Sequence, residues 1–245
     1  MVQAVLFDLG GTLWEYRDGV TPESVLARAA PKAIKHLSPA QAAQVSPYAL
    51  AQAVRHAYVL QEEAAARGDQ SPVPGELCVQ QGLAALGIAS DMQTARDVLA
   101  NLHVPESHTT QLLPGAVETL QRLVEAGLRL GIISNRLFGG ALLLDDLGYF
   151  GISHFFSSMI TSCEAGWMKP HPALFHQALE ELGVTTDQTV MVGDDLRADI
   201  AGALAVGMHA VWMRRPPDRP DPAPNGVPAI IALAELPALL LNTDR

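Results

Sequence analysis

The feature that most limits how this chain can fold is a series of short apolar runs, each stopping at a small or polar residue. Ala4 to Leu9 (AVLFDL) carries an acid in its last step and breaks at Gly10-Gly11. Leu128 to Ser134 (LRLGIIS), Phe155 to Thr161 (FFSSMIT), Thr189 to Gly193 (TVMVG) and His209 to Met213 (HAVWM) follow, and Ala229-Ile230-Ile231 comes last. Strands buried on both faces read this way, apolar throughout rather than alternating. Between the runs lie segments with helical periodicity: Ala116 to Glu125, Ala141 to Leu147, Pro172 to Leu182 and Leu196 to Val206. Strand and helix alternating at this spacing form right-handed βαβ units. The expected class is therefore α/β, a Rossmann-like parallel sheet with helices on both faces.

One region breaks the alternation. From about Trp14 to Gln111 the chain is rich in Ala and Gln and poor in β-branched runs. Its periodicity predicts helices over roughly Pro22–His36, Pro39–Val45, Tyr48–Arg67, Gly75–Leu86 and Ser90–Leu102. An all-helical domain over 16–111 is thus expected inside a core domain formed by 1–15 and 112–245. Turn chemistry makes 68–75 a loop, and the proline-rich stretch from Arg214 to Pro228 a surface loop ahead of a short strand and a terminal helix.

Composition narrows the function. Apolar residues make up 49% of the chain and charged ones 17%, enough for a buried core and against global disorder. With 16 Lys+Arg against 26 Asp+Glu the formal charge is −10, which repels phosphate backbones and anionic membranes, so neither nucleic acid nor membrane is an expected partner. Two cysteines, Cys78 and Cys163, are too few for a disulfide framework or a Cys-rich metal site, and both read as free thiols. The first residues show no basic segment ahead of an apolar one, and the apolar stretch from Val227 to Leu241 is broken by prolines and a glutamate. A soluble, cytoplasmic protein is the expectation.

In an open parallel sheet, ligands bind at the carboxyl ends of the strands. The polar residues expected there are Asp8 after the first strand, Ser134-Asn135 after the second, Lys169 in the loop after the third, and Asp194-Asp195 after the fourth. Asp8 with Asp194 offers oxygen ligands to a hard cation such as Mg²⁺. Ser134, Asn135 and Lys169 offer donors to anionic oxygens. An Asp that binds metal and also attacks, facing a phosphoryl group neutralised by Mg²⁺ and Lys, makes a coherent phosphoryl-transfer site.

Four segments resemble the motifs of the haloacid dehalogenase-like superfamily, in the family's order. Phe7-Asp8-Leu9-Gly10-Gly11-Thr12-Leu13 is similar to its DxDGT(L/V) motif, and Ile132-Ile133-Ser134-Asn135 to its Ser/Thr at an apolar strand end. Lys169-Pro170-His171-Pro172 resembles its lysine motif, and Gly193-Asp194-Asp195-Leu196-Arg197-Ala198-Asp199 its GDxxxxD acidic motif. The helical insert resembles the family's C1-type cap. The resemblance implies a Mg²⁺-dependent hydrolase of a small phosphorylated metabolite, monomeric or homodimeric, with Asp8 forming an aspartyl intermediate. It makes Asp8, the Gly10 carbonyl, Asp194 and Asp195 the metal ligands, with Asp199 supporting the loop. Thr12, Ser134 and Asn135 would bind the transferring group, and Lys169 would balance charge on it and on Asp8.

The sequence departs from that pattern at Gly10, where the phosphatases carry a second Asp that acts as general acid/base. A glycine keeps the main-chain carbonyl for a metal but transfers no proton, and such a group contributes ~10²–10⁴-fold in rate. Three readings follow. The protein is a phosphatase in which a cap residue or water moves the proton, with His36 and His56 as candidates. Alternatively it is a metal-independent dehalogenase, since halide leaves without a proton, although those enzymes carry an aromatic residue where Gly10 stands. Or it is a catalytically impaired binding protein. Phosphonatase-like chemistry needs a cap lysine, and Lys32 and Lys35 read as surface residues. Trp14 and Tyr16, in the expected flap, and Arg28 and Arg55 on the cap are further candidates for contact with substrate. No histidine pair has metal-ligand spacing, and His171 reads as shaping its loop.

Overall fold

The structure is a computed structural model describing residues 1–69, 75–215 and 226–241. Strands β1 (Ala4–Phe7), β4 (Arg129–Ser134), β5 (Phe156–Thr161), β6 (Thr189–Gly193), β7 (His209–Met213) and β8 (Ala229–Ile230) form a six-stranded sheet in the order β5-β4-β1-β6-β7-β8. Every pairing in it is parallel. The expected strands are present, each trimmed by at most two residues. Most of the 68–75 loop, most of the proline-rich 214–228 stretch and the last four residues lie outside the described residues.

The apolar runs are filled from both sides. Val5 and Phe7 of β1 join Ile132, Val192 and Val211 in one hydrophobic layer, and Ala4 and Leu6 join Ile133, Met191 and Trp212 in the other. Helices α6 (Ala116–Glu125) and α7 (Gly140–Tyr149) cover the first face through Leu120, Leu123, Leu143 and Leu147. After a short α8 (Ser162–Ala165), helix α9 (Pro172–Leu182) covers the second through Leu174, Phe175 and Leu182. Each such side chain, fully buried, contributes roughly 1.5–3 kcal/mol.

The helices between β1 and β4 form their own layer: α1 (Pro22–Ala33), α2 (Pro39–Ala42), α3 (Pro47–Ala66), α4 (Gly75–Ala85) and α5 (Met92–Ala100). Their starts are written in the sequence. Thr21-Pro22, Ser38-Pro39 and Ser46-Pro47 each place a hydroxyl at the N-cap, accepting from a main-chain N–H three residues on, and a proline where no N–H is needed. Leu26, Leu50, Val54, Val79, Leu83 and Val98 form the centre of this layer. Leu137 and Phe138, beyond β4, pack against it, and Met168 packs among Ala57, Tyr58, Ala65 and Cys78.

Two features differ from the reading of the sequence. Trp14–Tyr16 is a strand, β2, paired antiparallel with β3 (Thr110–Leu112), so the chain leaves for the helical layer and returns from it through a two-stranded ribbon. The expected domain boundaries fall inside that ribbon. The expected helix over 196–206 is instead a π turn over Leu196–Ala201 followed by α10 (Gly202–Ala205). The Asp195 carbonyl accepts from both Asp199 N and Ile200 N, at 3.0 and 3.2 Å, which widens the turn. The terminal helix α11 (Leu236–Leu241) returns to the first face.

Candidate active site

The sheet order places β1 between β4 and β6, so the strand ends that carry Asp8, Ser134 and Asp194 are neighbours at a topological switch point. Phe7 sits in register with Ile132 on one side and Val192 on the other. Asp8 continues the ladder, its N–H donating to the Val192 carbonyl at 2.9 Å. The chain then turns sharply. Gly11 has φ +77°, and a Cβ there would stand 2.5 Å from Asp194 Oδ2, so only glycine lets the turn pass beneath that carboxylate. Gly10 is different: a Cβ at that position meets nothing within 4 Å.

Lys169 is at the centre. Its ammonium is buried and makes three hydrogen bonds, to Asp8 Oδ1 at 2.7 Å, Asp199 Oδ1 at 2.6 Å and the Ile133 carbonyl at 2.8 Å. Burial lowers its pKa, but Asp199 and Asp8 outweigh burial and hold it above that of an ordinary lysine. Asn135 fixes the lysine's main chain, accepting from Lys169 N at 2.8 Å and donating to its carbonyl at 3.2 Å. Asn135 is therefore engaged in positioning Lys169.

The acidic motif divides its labour. Asp195 Oδ1 accepts from Arg197 N and Ala198 N at 2.8 and 2.9 Å, capping the π turn. Asp199, buried, points back into the site and accepts from Asp195 N at 3.0 Å through Oδ2. A Cβ on Gly193 would collide with the Asp199 carboxylate, so the glycine of this motif makes the space that Asp199 fills. Burial lifts the Asp199 pKa to about 7, with Lys169 opposing and Asp8 adding to the rise. The indole N–H of Trp212 donates to the Asp194 carbonyl at 3.1 Å, fixing that main chain.

Carboxylate oxygens of Asp8, Asp194 and Asp199 lie within 4.8 Å of one another. An all-oxygen, acidic set of this kind suits a hard divalent cation such as Mg²⁺. Thr12 adds a buried hydroxyl that has no partner among the described residues, a costly state unless an oxygen-rich ligand relieves it.

A cavity of about 360 Å³ opens beside Gly10, Ser134 and Asn135 and reaches under the helical layer. Trp14 and Tyr16 line it, as does Arg55 of α3, whereas Arg28, His36 and His56 are not among its lining residues. Five polar lining residues were not singled out in the sequence: Tyr58 and Glu62 from α3, His103 and Glu106 before β3, and Arg136 after β4. Arg136 follows Ser134-Asn135 directly, which is the one hint the chain offered. Its guanidinium pairs with Asp146 at 3.3 Å and Glu106 at 3.5 Å and lies over the Trp14 ring. His171 caps α9 by accepting from Ala173 N, in keeping with its reading as a loop residue. Both cysteines are free, and burial raises both pKa values, that of Cys78 to about 12.

Comparison with known proteins identifies the family and agrees with the fold. The sequence model of the haloacid dehalogenase-like hydrolases matches residues 2–207. A glyceraldehyde 3-phosphate phosphatase from Methanopyrus kandleri is 30% identical over 88% of this chain and 85% of its own length. The haloacid dehalogenase-like hydrolase domain-containing protein 3 of Bos taurus is 33% identical over 68% of this chain, a match spanning 65% of that protein. Among solved structures, a HAD phosphatase from Thermococcus onnurineus superposes with a TM-score of 0.64 at 25% identity, covering 98% of both chains. A 2-haloacid dehalogenase from Pseudomonas syringae matches with the same TM-score and identity over 99% of both. No helix among the described residues is long and apolar enough to cross a membrane. With its parallel sheet, three motifs at adjoining strand ends, the lysine of the fourth bonded among them and a family match over most of its length, this chain belongs to the haloacid dehalogenase-like hydrolases.

Proposed function

We propose that the protein is a Mg²⁺-dependent phosphatase of small phosphate esters that forms an aspartyl-phosphate on Asp8. The observation that carries this reading is the bonding of a buried, charged Lys169 to Asp8, beside a cluster of carboxylates. The phosphatase names of the archaeal relative and the Thermococcus structure point the same way. Mg²⁺ would be held by Asp8, Asp194 and the Gly10 carbonyl, with Asp199 and Asp195 behind them, and when bound it supplies positive charge to the phosphoryl oxygens. Asp8 attacks phosphorus as the bond to the leaving oxygen breaks. Water then attacks the aspartyl-phosphate, breaks the bond to Asp8 and releases inorganic phosphate. Lys169 balances the charge on Asp8 and holds it in place. Ser134 and Thr12 donate to the phosphoryl oxygens, and Asn135 keeps Lys169 in register. The helical layer, 16–111, acts as the cap, excluding water and selecting the ester's organic group over a core of 1–15 and 112–245.

The missing acid at Gly10 favours a second reading, a dehalogenase releasing a halide that needs no proton, and the similar fold of the Pseudomonas enzyme is compatible with it. Metal dependence separates the two. Phosphate release from a panel of esters, with Mg²⁺ and with chelator, is expected to need the metal and to disappear in Asp8→Asn. Dehalogenation of 2-haloacids that persists in chelator, with no phosphate released, would overturn the proposal.

A further inference from the structure

The phosphatase reading leaves one chemical task without a residue. The leaving alkoxide needs a proton, the attacking water must lose one, and Gly10 can do neither. We infer that Glu62 of α3, in the helical layer, performs this acid/base step. The inference rests on the phosphatase reading and extends it.

Glu62 lines the same cavity as Gly10, Ser134 and Asn135. A side chain at Gly10 would project into open space, since no atom lies within 4 Å of a Cβ there, and Glu62 reaches the same cavity from α3 of the helical layer. The other ionisable groups lining the cavity include one carboxylate, Glu106, with both oxygens engaged, the His103 imidazole and the phenols of Tyr16 and Tyr58. Glu106 has Arg136 at 3.5 Å from Oε1 and accepts the Thr109 hydroxyl on Oε2 at 3.2 Å. His103 faces Asp146 at 3.6 Å. Tyr58 is a phenol whose burial, together with Glu62, holds its proton far above the neutral range. Glu62 has Arg55 Nη1 3.5 Å from its Oε2, as close as Arg136 is to Glu106, and Arg55 is itself shared with Glu23 at 3.7 Å.

The surroundings also favour a carboxyl that keeps its proton at higher pH. Burial raises the Glu62 pKa most, and the negative charge of Asp195 adds to it. Arg55 and Tyr58 oppose the rise without cancelling it. Cys78, on the adjacent helix, is a neutral thiol. In the first step the Glu62 carboxylic acid gives its proton to the leaving oxygen as the P–O bond breaks and the Asp8–phosphorus bond forms. In the second, the Glu62 carboxylate takes a proton from the water that attacks phosphorus, and Asp8 leaves as carboxylate. Glu62 ends the cycle protonated, and ester plus water has become alcohol plus phosphate.

The test compares leaving groups. An alkyl phosphate needs a proton on its departing oxygen, whereas a nitrophenyl phosphate departs as a stable anion. Glu62→Gln is expected to lower kcat for the alkyl ester by ~10²-fold or more, the contribution typical of a general acid, and to change nitrophenyl phosphate turnover by under about 3-fold. The alkaline fall of the alkyl pH profile is expected to vanish with it. Glu63→Gln, on the exposed side of the same helix, serves as control for the substitution itself. Restoring the lost rate by Gly10→Asp in the Glu62→Gln protein supports the assignment. Equal losses on both esters, or no loss on either, would overturn it. Absence of any Asp8-dependent phosphate release from the unmodified protein would instead fail the phosphatase reading itself.

Discussion

Lys169→Met removes the ammonium while keeping most of the volume of its stem. In the structure this strands two buried carboxylates, Asp8 and Asp199, and the Ile133 carbonyl, which share the ammonium's three hydrogen bonds at 2.6–2.8 Å. Removing one partner from a buried ion pair costs about 3–5 kcal/mol, so the melting temperature should fall by roughly 6–20 °C at about 2–4 °C per kcal/mol for a chain of this size. The loss should depend on pH in a definite direction. Burial lifts the Asp199 pKa to about 7 in the fold against Lys169, which opposes the rise, so without the lysine it moves higher still. A carboxyl with a raised folded pKa holds extra proton when folded, so its fold weakens as pH rises from the unfolded toward the folded value. The variant should therefore be much weaker at pH 8.5 than at pH 5.5. Urea unfolding at both values in metal-free buffer measures this, and Asp199→Asn in the same background should return about 1 kcal/mol or more at the higher pH. A loss under about 1 kcal/mol at pH 8.5, or one equal at both values, would refute the reasoning.

Other substitutions separate roles within the site. Asp195→Ala removes a helix-type cap and should cost about 1 kcal/mol of stability with little change in Mg²⁺ affinity measured by calorimetry; a tenfold loss of affinity would make Asp195 a ligand. Gly11→Ala forces a residue with a Cβ to φ +77° and against Asp194, costing roughly 1–2 kcal/mol of backbone strain and weakening Mg²⁺ binding, both readable by melting with and without metal. Gly10→Asp finds open space and should fold with stability within about 1 kcal/mol of the parent, the ordinary range for unstrained Gly replacement; a melting scan checks it.

Much of the core was legible because a strand buried on both faces leaves no room for polar residues until it reaches its end. Asp8, Ser134 and Asp194 stand out for that reason, and the sheet then brings them together. The ribbon was not legible, since Trp14–Tyr16 and Thr110–Leu112 are too short for a pattern and find each other only across the whole helical layer. The π turn was hidden too: Leu196–Val206 has a helical apolar period, and the widening comes from Asp195 and Asp199, whose hydrogen bonds no local pattern encodes. The same motif shows two adjacent carboxylates and a third beyond them. Only the fold tells which turns outward to cap and which turns inward to Lys169. Glu62 lies in the acidic step of an alanine-rich helix, indistinguishable by sequence from its neighbour Glu63 until the fold brings it to the cavity that Gly10 also lines.

The paired strands β2 and β3 form a single doorway. Trp14 stands opposite Leu112 and Tyr16 opposite Thr110, and Arg17 ties the threshold by donating from its Nε to the Thr110 carbonyl at 2.8 Å. Because the chain departs and comes back at one place, the span beyond the doorway closes on itself and is joined through two adjacent attachment points, with Leu137, Phe138 and Met168 packed against it. Such a span can lengthen, shrink or be exchanged over evolutionary time while the strand ends beneath it keep their chemistry. If the helical layer selects the substrate as proposed, the reaction and its substrate choice reside in separate stretches of one chain.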